Sequence, residues 1–438
     1  MTFRVRGRSG ILKGLALLLV MAMVAAACGG DDSSDTTAAG GGGDGGDDPV
    51  RIELILTRPY YVATGFVEAM LAEHNIELVV DVQSNDDILQ QLQTRLDAGQ
   101  DLPDLLGAED SFLMPAFAES GLVGDHSAFQ AEFEAEDPDL YNLLWDDVWA
   151  ETDGIGASIT ANFDAFFYNV EWAEEAGVTF PFESYDDVIA AMRALKATRP
   201  DSIPLTVQAK AGDGVTTLKT MLAGTGTPFD GAVPDLTSTG GMYTCQWWVD
   251  AATEDLTPPD AVAWGEDESR AAFTSGNAGL ILDGFTTAGD FAEIPNFDYP
   301  THWALTPPAG KGGPSGTEGV ILAAARTWGI IEGTDHPYEA GLVIRAIAET
   351  QWLVGQASEG GVPARNQDFI DSSEALEIWP FFNSDLKAAY TAAVPQPAGE
   401  NAGEVEGILE QFFGEIVSGQ SSDCGDLTTT YQAQLDEA

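Results

Sequence analysis

Basic residues are scarce in this chain. Its 438 residues include 18 Lys and Arg against 71 Asp and Glu, a formal net charge of −53. Such a surface repels phosphate backbones, which argues against a nucleic-acid partner. Histidine is rarer still. His74, His126, His302 and His336 are the whole set, they stand at no metal-ligand spacing, and no HExxH stretch occurs. Signatures of catalysis are missing as well. Gly310-Lys311 lacks the earlier glycine and the following Ser or Thr of a phosphate loop, Gly224-Thr225-Gly226 is an incomplete dinucleotide fingerprint, and there is no G-x-S-x-G elbow. Paired carboxylates such as Asp146-Asp147 could serve a glycosidase, but neighbouring acids are commonplace in so acidic a chain. The expectation is a non-enzyme with no cofactor and no metal. Long apolar runs are confined to the first 27 residues, so no later segment is long enough to cross a bilayer.

That first run has a distinctive layout. Arg4, Arg6, Arg8 and Lys13 precede an apolar stretch from Leu15 to Ala27, too short and too abruptly ended for a membrane span and arranged like a secretory signal. It closes on Ala25-Ala26-Ala27-Cys28-Gly29. Small residues directly before a cysteine resemble the lipobox of bacterial lipoproteins, in which the cysteine is acylated and becomes the new N-terminus; Ala25 stands where that motif prefers Leu. An ordinary cleaved signal and an N-terminal membrane helix are the alternatives. Residues 1–27 would then be the signal peptide, and 28–49 a disordered tether of Gly, Asp, Ser, Thr and Ala that cannot bury apolar surface. A flexible coil of that length reaches about 25 Å. Its Asp residues lack the spacing and closing Glu of a calcium loop. Loss of the four bases in the signal leaves 14 bases against 71 acids, a net charge of −57. An acid excess of this kind is consistent with a salty habitat.

Only three cysteines occur. With Cys28 carrying lipid, Cys245 and Cys424 remain as an even pair in an oxidising compartment, and a disulfide between them is expected, two free buried thiols being the alternative.

The rest of the chain, with 44% hydrophobic residues overall, is long enough for two lobes with sizeable cores. Residues 51–56 alternate as a strand, Val62, Phe66 and Met70 recur at helical spacing, and Ile76 to Val82 reads as a β-branched second strand. A helix with Ile88, Leu89, Leu92 and Leu96 on one face ends at Gly99, and Pro103-Asp104-Leu105-Leu106 follows as a third strand. This β-α-β-α-β start predicts a largely parallel sheet with helices on its faces. Further on, a helix begins at Ser184 and stops before Pro200. Ala278–Asp283 and Thr327–Ile331 read as strands, and a helix from about His336 to Ala357 ends at Gly360-Gly361.

Six short pieces occur in the order found in family 1 extracellular solute-binding proteins, the receptor components of ATP-binding-cassette (ABC) importers. They are Leu92-Gln93-Thr94 through Gly99 with Pro103-Asp104-Leu105-Leu106; Ala118-Glu119-Ser120-Gly121-Leu122; Asp164-Ala165-Phe166-Phe167-Tyr168-Asn169 with Ala176-Gly177; Ser184-Tyr185-Asp186-Asp187; Ala272-Phe273-Thr274-Ser275-Gly276-Asn277-Ala278-Gly279; and Gly361-Val362-Pro363-Ala364-Arg365. Each is weak alone; together they resemble the family over nearly all of the mature chain. The resemblance implies an α/β fold: a two-lobed, periplasmic-binding-protein-like (type II) clamshell with parallel-type sheets and crossing hinge segments. Lobe 1 would hold 50–158 with 308–358, and lobe 2 would hold 159–302 with 362–438. Crossovers would lie near Ser158–Asn162 and Thr301–Pro307. It further implies a monomer at the outer face of the membrane. That monomer would deliver a small organic solute, a carbohydrate first of all, to the permease of an importer whose ATPase is a separate chain. A polyamine or other cationic solute and, from another class, a surface glycan-degrading enzyme are the alternatives.

Sugars need aromatic faces for their C–H surfaces and polar side chains for their hydroxyls. Arg58, Tyr60 and Tyr61 follow the first strand, where α/β sheets open toward ligand, though they could pack on their own lobe. Glu109 and Asp110 end the third strand and suit hydroxyls, a cation or a helix cap. Asn162, with an amide that both donates and accepts, resembles a ligand-contacting crossover residue of the family; Phe163 beside it could stack on a sugar or pack the hinge. Asp283-Gly284-Phe285-Thr286 stands where many sugar-binding members carry "NGpW", with Thr286 at the Trp position and Phe285 a possible substitute face, a departure from the pattern of oligosaccharide binders. Trp328 could line the cleft or the core. Trp247, Trp248 and Trp352 fit core faces of helices, and Arg365 a supporting role at the hinge.

Overall fold

The structure, a computed structural model, describes residues 48–56, 64–83, 85–110, 114–125, 131–132, 135, 157–211, 214–309, 319–354, 362–363, 380–399 and 401–438. In chain order the elements are β1 (Val50–Leu56), α1 (Thr64–Glu73), β2 (Ile76–Val82), α2 (Asn85–Asp97), β3 (Leu105–Asp110), α3 (Met114–Glu119), β4 (Ala157–Asn169), α4 (Val170–Ala176), α5 (Tyr185–Thr198), β5 (Ile203–Thr206) and α6 (Val215–Gly224). There follow β6 (Phe229–Asp230), β7 (Val233–Pro234), α7 (Thr239–Thr253), α8 (Glu266–Thr274), β8 (Ala278–Gly284), α9 (Thr287–Glu293), β9 (Trp303–Thr306), β10 (Leu322–Ile330) and α10 (Pro337–Val354). The chain closes with β11 (Val362–Pro363), α11 (Ser384–Ala392), β12 (Val394–Pro395), α12 (Ala402–Val417) and α13 (Cys424–Leu435).

One sheet runs through the molecule in the order β2-β1-β3-β10-β4-β8-β5, with β9 and β11 also on β4 and β12 on β10. Strands β8 and β9 are buried along their whole length, so β8 reads as an apolar run, whereas the edge strand β2 is only partly buried. Along β1, Leu54 and Leu56 pack with Trp328 and the α10 residues Val343 and Ile347. Ile55 points the other way, onto Ile88, Leu92 and Met114. The second half of the sheet behaves alike: Phe166, Leu280 and Leu282 join one core, Ala165, Phe167 and Ile281 the other. Each half-sheet is thus sandwiched by its own helices, and two lobes result.

The sheet is mixed where a largely parallel one was expected. β1 runs parallel to β2 and β3, and β5 parallel to β8, but β10 lies antiparallel to β3 and β4, and β4 antiparallel to β8. The reversal occurs at the strands that pass between lobes. Ala157 to Phe163 of β4 pair with β10, and from Asp164 onward its partner is β8. β9, within the stretch read as a second crossover, pairs with Phe166–Asn169.

β10 starts at Leu322, five residues ahead of the expected Thr327. Helix α5 begins as its sequence directs: Ser184 Oγ accepts from Asp187 N, and Asp187 Oδ2 accepts from Ser184 N at 2.9 Å. Cys245 of α7 and Cys424 of α13 form a disulfide, and Trp247 and Trp248 are buried in the same core. Residues 1–47, with the leader, Cys28 and all but the end of the tether, lie outside the described residues, as do Arg365 and the Trp352 side chain.

Candidate functional site

Parallel strands present their carboxyl ends to a ligand in α/β sheets. In lobe 2 those ends belong to β5, followed by Gln208, and to β8, which ends at Gly284 beside Asp164 of β4. In lobe 1 they belong to β1 and β3. The strand change at Phe163–Asp164 lies between the two sets, so the candidate site is the cleft over the crossing of β4.

Four of the residues singled out from the sequence come together here. Asn162 is half-buried, and its Oδ1 accepts from Thr286 N at 3.5 Å. Its Nδ2 lies so near Gly284 that any side chain there would collide with it. Asn162 therefore holds the turn after β8 against the crossing strand. Phe285 N donates to Phe163 O at 2.9 Å, a second tie between the same segments.

The aromatic rings at the crossing do not face the cleft. Phe163 and Phe285 are 2% and 1% exposed and stack on each other with centroids 4.8 Å apart. Phe285 also stacks on Phe382 and Phe163 leans on Tyr390, so both rings belong to the lobe-2 core. Their place as sugar-stacking faces is corrected accordingly. Trp328 is corrected likewise: it sits mid-strand in β10, 1% exposed, with its ring over Gly107 of β3. A Cβ at 107 would overlap the indole, which explains the glycine.

Asp283 is occupied too. Arg270 of α8 donates from Nε to its Oδ2 at 2.7 Å and from Nη2 to its Oδ1 at 3.1 Å. Gly284 N donates to Oδ1 at 2.8 Å, and Gln208 Nε2 reaches the same oxygen at 3.4 Å. The guanidinium continues to Thr287 Oγ1 at 2.9 Å, and Glu266 and Asp290 stand at 3.2 and 3.8 Å. Burial works against the charge on Arg270, but Asp283, Glu266 and Asp290 hold it above its ordinary value. Burial likewise raises the Asp283 carboxyl, against the pull of Arg270. Asp283 is thus a scaffold of the cleft wall, with its oxygens committed inward.

Beneath the same wall lies Asp164. Its Oδ2 accepts from Thr220 Oγ1 of α6 at 2.6 Å. Burial pushes its pKa up to about 6; the Thr220 hydrogen bond opposes the shift, and the charges of Asp283 and Glu266 add to it. Sequence reading passed over Gln208, Arg270, Asp164 and Thr220. Two of them carried a signal: Arg270 is one of few bases in an acidic chain, and Asp164 interrupts the run Phe163 to Phe167.

On the lobe-1 side, Glu109 and Asp110 pair in register with Thr327 and Arg326 of β10. Their side chains, and Arg58, Tyr60 and Tyr61 entirely, lie outside the described residues. Among the described residues no group of His, Cys, Asp and Glu is placed to hold a metal ion, and no helix is long and apolar enough to cross a membrane.

A two-lobed α/β fold with a polar cleft over crossing strands defines the class of solute-binding proteins. Residues 57–353 match the family of bacterial extracellular solute-binding proteins, and the chain belongs to it. No curated protein matches the chain by sequence. Among solved structures, it is similar to an ABC substrate-binding protein from Listeria monocytogenes in complex with cycloalternan: TM-score 0.73, 16% identity, 89% of this chain and 99% of the other covered. A maltose-bound protein of T. maritima gives TM-score 0.72 at 16% identity, covering 89% and 99%. A D-mannitol-bound solute-binding protein from Agrobacterium vitis gives 0.68 at 18%, covering 88% and 97%. At these identities the likeness is one of fold.

Proposed function

We propose that the chain is a receptor that takes a neutral carbohydrate into the cleft between its lobes and presents it to the permease of an ABC importer. The observation that carries this reading is the polar wall at the crossing. The half-buried Asn162 and Thr286 bring an amide and a hydroxyl there, backed by the buried Gln208 amide, while the nearby charges of Arg270 and Asp283 are paired with one another. Sugar hydroxyls match such groups in both donating and accepting. The bound cycloalternan, maltose and D-mannitol of proteins with this fold support the same class. A cationic solute is the weaker reading, because it relied on Asp283 together with Glu109 and Asp110, and Asp283 already holds Arg270.

In this reading lobe 1 comprises about 50–158 with 308–358 and lobe 2 about 159–302 with 362–438. Arg58, Tyr60, Tyr61, Glu109 and Asp110 would form the opposing wall. Ligand bridging both walls favours the closed state. Acylation of Cys28 would keep a monomeric receptor at the membrane, beside a permease and ATPase made from other chains. The test is thermal shift and titration calorimetry with maltose, laminaribiose, D-mannitol, D-tagatose, chitobiose, spermidine and arginine. A saturable response to a sugar or polyol, weakened in Asn162→Ala, is expected; a response to spermidine alone would sink the carbohydrate reading. Mass spectrometry of the membrane-bound protein tests the anchor through a diacylglyceryl adduct on Cys28.

A further inference from the structure

Lobe 2 carries a second concavity on its outer side. A groove of about 850 Å³ follows α8 and is walled opposite by the loop that leaves α5. Its position separates it from the cleft. β5 and β8 are parallel, and the groove meets their beginnings, at Ile203 and Asn277, where Ile203 N donates to Asn277 O at 3.1 Å. Gln208, Asp283 and Thr286 stand at the far ends of the same strands.

The lining combines one indole with fixed polar groups. Trp264 is half-buried, and its backbone is pinned: its N–H donates to Ala261 O at 2.9 Å, and its carbonyl accepts from Ala209 N and Lys210 N at 3.2 and 3.1 Å. The indole thus starts from a fixed backbone and is only partly covered. Arg199 makes a rigid wall, stacked 4.6 Å over Trp172 and bound to Glu175 at 2.6 Å. Asp201, Glu268 and Asn277 are exposed along the rim, and the Asp201 carboxylate has no hydrogen-bond or ion-pair partner among the described residues. Asn277 Nδ2 donates to Ser275 Oγ at 2.9 Å, and its amide oxygen has no hydrogen-bond partner among the described residues.

A half-exposed aromatic face ringed by carboxylate and amide groups is what the C–H face and hydroxyls of a pyranose require. The volume lies within the range of ligand sites, and the open shape suits an internal stretch of a longer glycan. The net charge of −53 repels anionic polymers, and the indole face beside the Asn277 amide suits a neutral glycan. We propose that this groove is a second, weaker binding site for neutral oligosaccharides. Trp264 is its stacking face, and Asp201, Glu268 and Asn277 are its hydroxyl partners. The site stands independently of the cargo assigned to the cleft.

The experiment uses the mature chain labelled with ¹⁵N at its indoles, the Trp264 resonance being assigned through Trp264→Phe. It is titrated with maltohexaose, laminarihexaose and chitohexaose. A saturable shift of that resonance with at least one glycan is expected. Asp201→Ala and Asn277→Ala, both at exposed positions, should each weaken it about threefold or more, the equivalent of one lost hydrogen bond, while the thermal-shift response to cleft sugars is unchanged. The proposal is overturned if the resonance ignores all three glycans, if both variants titrate as the parent does, or if only a lysine-rich peptide moves it.

Discussion

Arg270 and Asp283 join in a two-point ion pair, at 2.7 and 3.1 Å, through which α8 grips the end of β8 under the turn that Asn162 holds from the other side. The Asp283 side chain is 2% exposed and that of Arg270 19%. Removing one partner strands the other charge in a dry place. Arg270→Ala should lower stability by about 3 kcal/mol or more in urea denaturation, and Arg270→Ala with Asp283→Ala should cost less than the sum of the two single changes.

Asp164 makes stability depend on pH in an unusual direction. Its carboxyl titrates near 6 when folded and about 3.9 when unfolded. The folded state binds the proton more tightly, so this group's contribution is full below about pH 4, is lost as pH rises to about 6, and is level above that. The span is at most about 3 kcal/mol. Asp164→Asn keeps an acceptor for Thr220 and removes the titration. Its stability relative to the parent should climb between pH 4 and 6 in parallel thermal melts; a constant difference would refute the assignment.

Cys245 and Cys424 close a loop across 179 positions. The chain-entropy argument gives about 5 kcal/mol as an upper value for a loop of this size. A Cys245→Ala, Cys424→Ala double variant should therefore melt well below the parent. Reductant should lower the parent's melting temperature and leave that of the variant unchanged.

Gly284 is tied to Asn162 by space. Gly284→Ala would push the Asn162 amide off the Thr286 N–H. The stability cost should be small, about 1 kcal/mol, because one flexible side-chain end can yield. Affinity for the cleft sugar should fall by at least about tenfold as the wall loses its shape, and calorimetry on the folded variant separates the two effects.

Much of the fold could be read from local signals. β2 occupies the stretch Ile76–Val82 that its β-branched residues mark, and α5 starts on its capping box at Ser184. β10 begins earlier than its pattern indicated because Leu322-Ala323-Ala324-Ala325 carries helix-favouring alanines, overridden by pairing with β4. The site was less legible. Whether Phe163 and Phe285 face ligand or each other is decided by contacts between distant strands. Trp328 is hidden because the residue opposite it on β3 is Gly107. Asn162 could be placed at the crossing from sequence because its neighbours carried the family pattern; the ion pair that occupies Asp283 had no local signature.

β4 serves both lobes with one unbroken backbone, exchanging β10 for β8 between Phe163 and Asp164. A hydrogen-bonded ladder cannot slip by part of a residue, and a whole-residue slip would turn every buried side chain to the wrong face. Sliding along β4 is thereby forbidden, and what remains open to this strand is torsion about the peptide units at the exchange. At this strand, any relative movement of the two half-sheets is therefore a change of angle rather than a displacement.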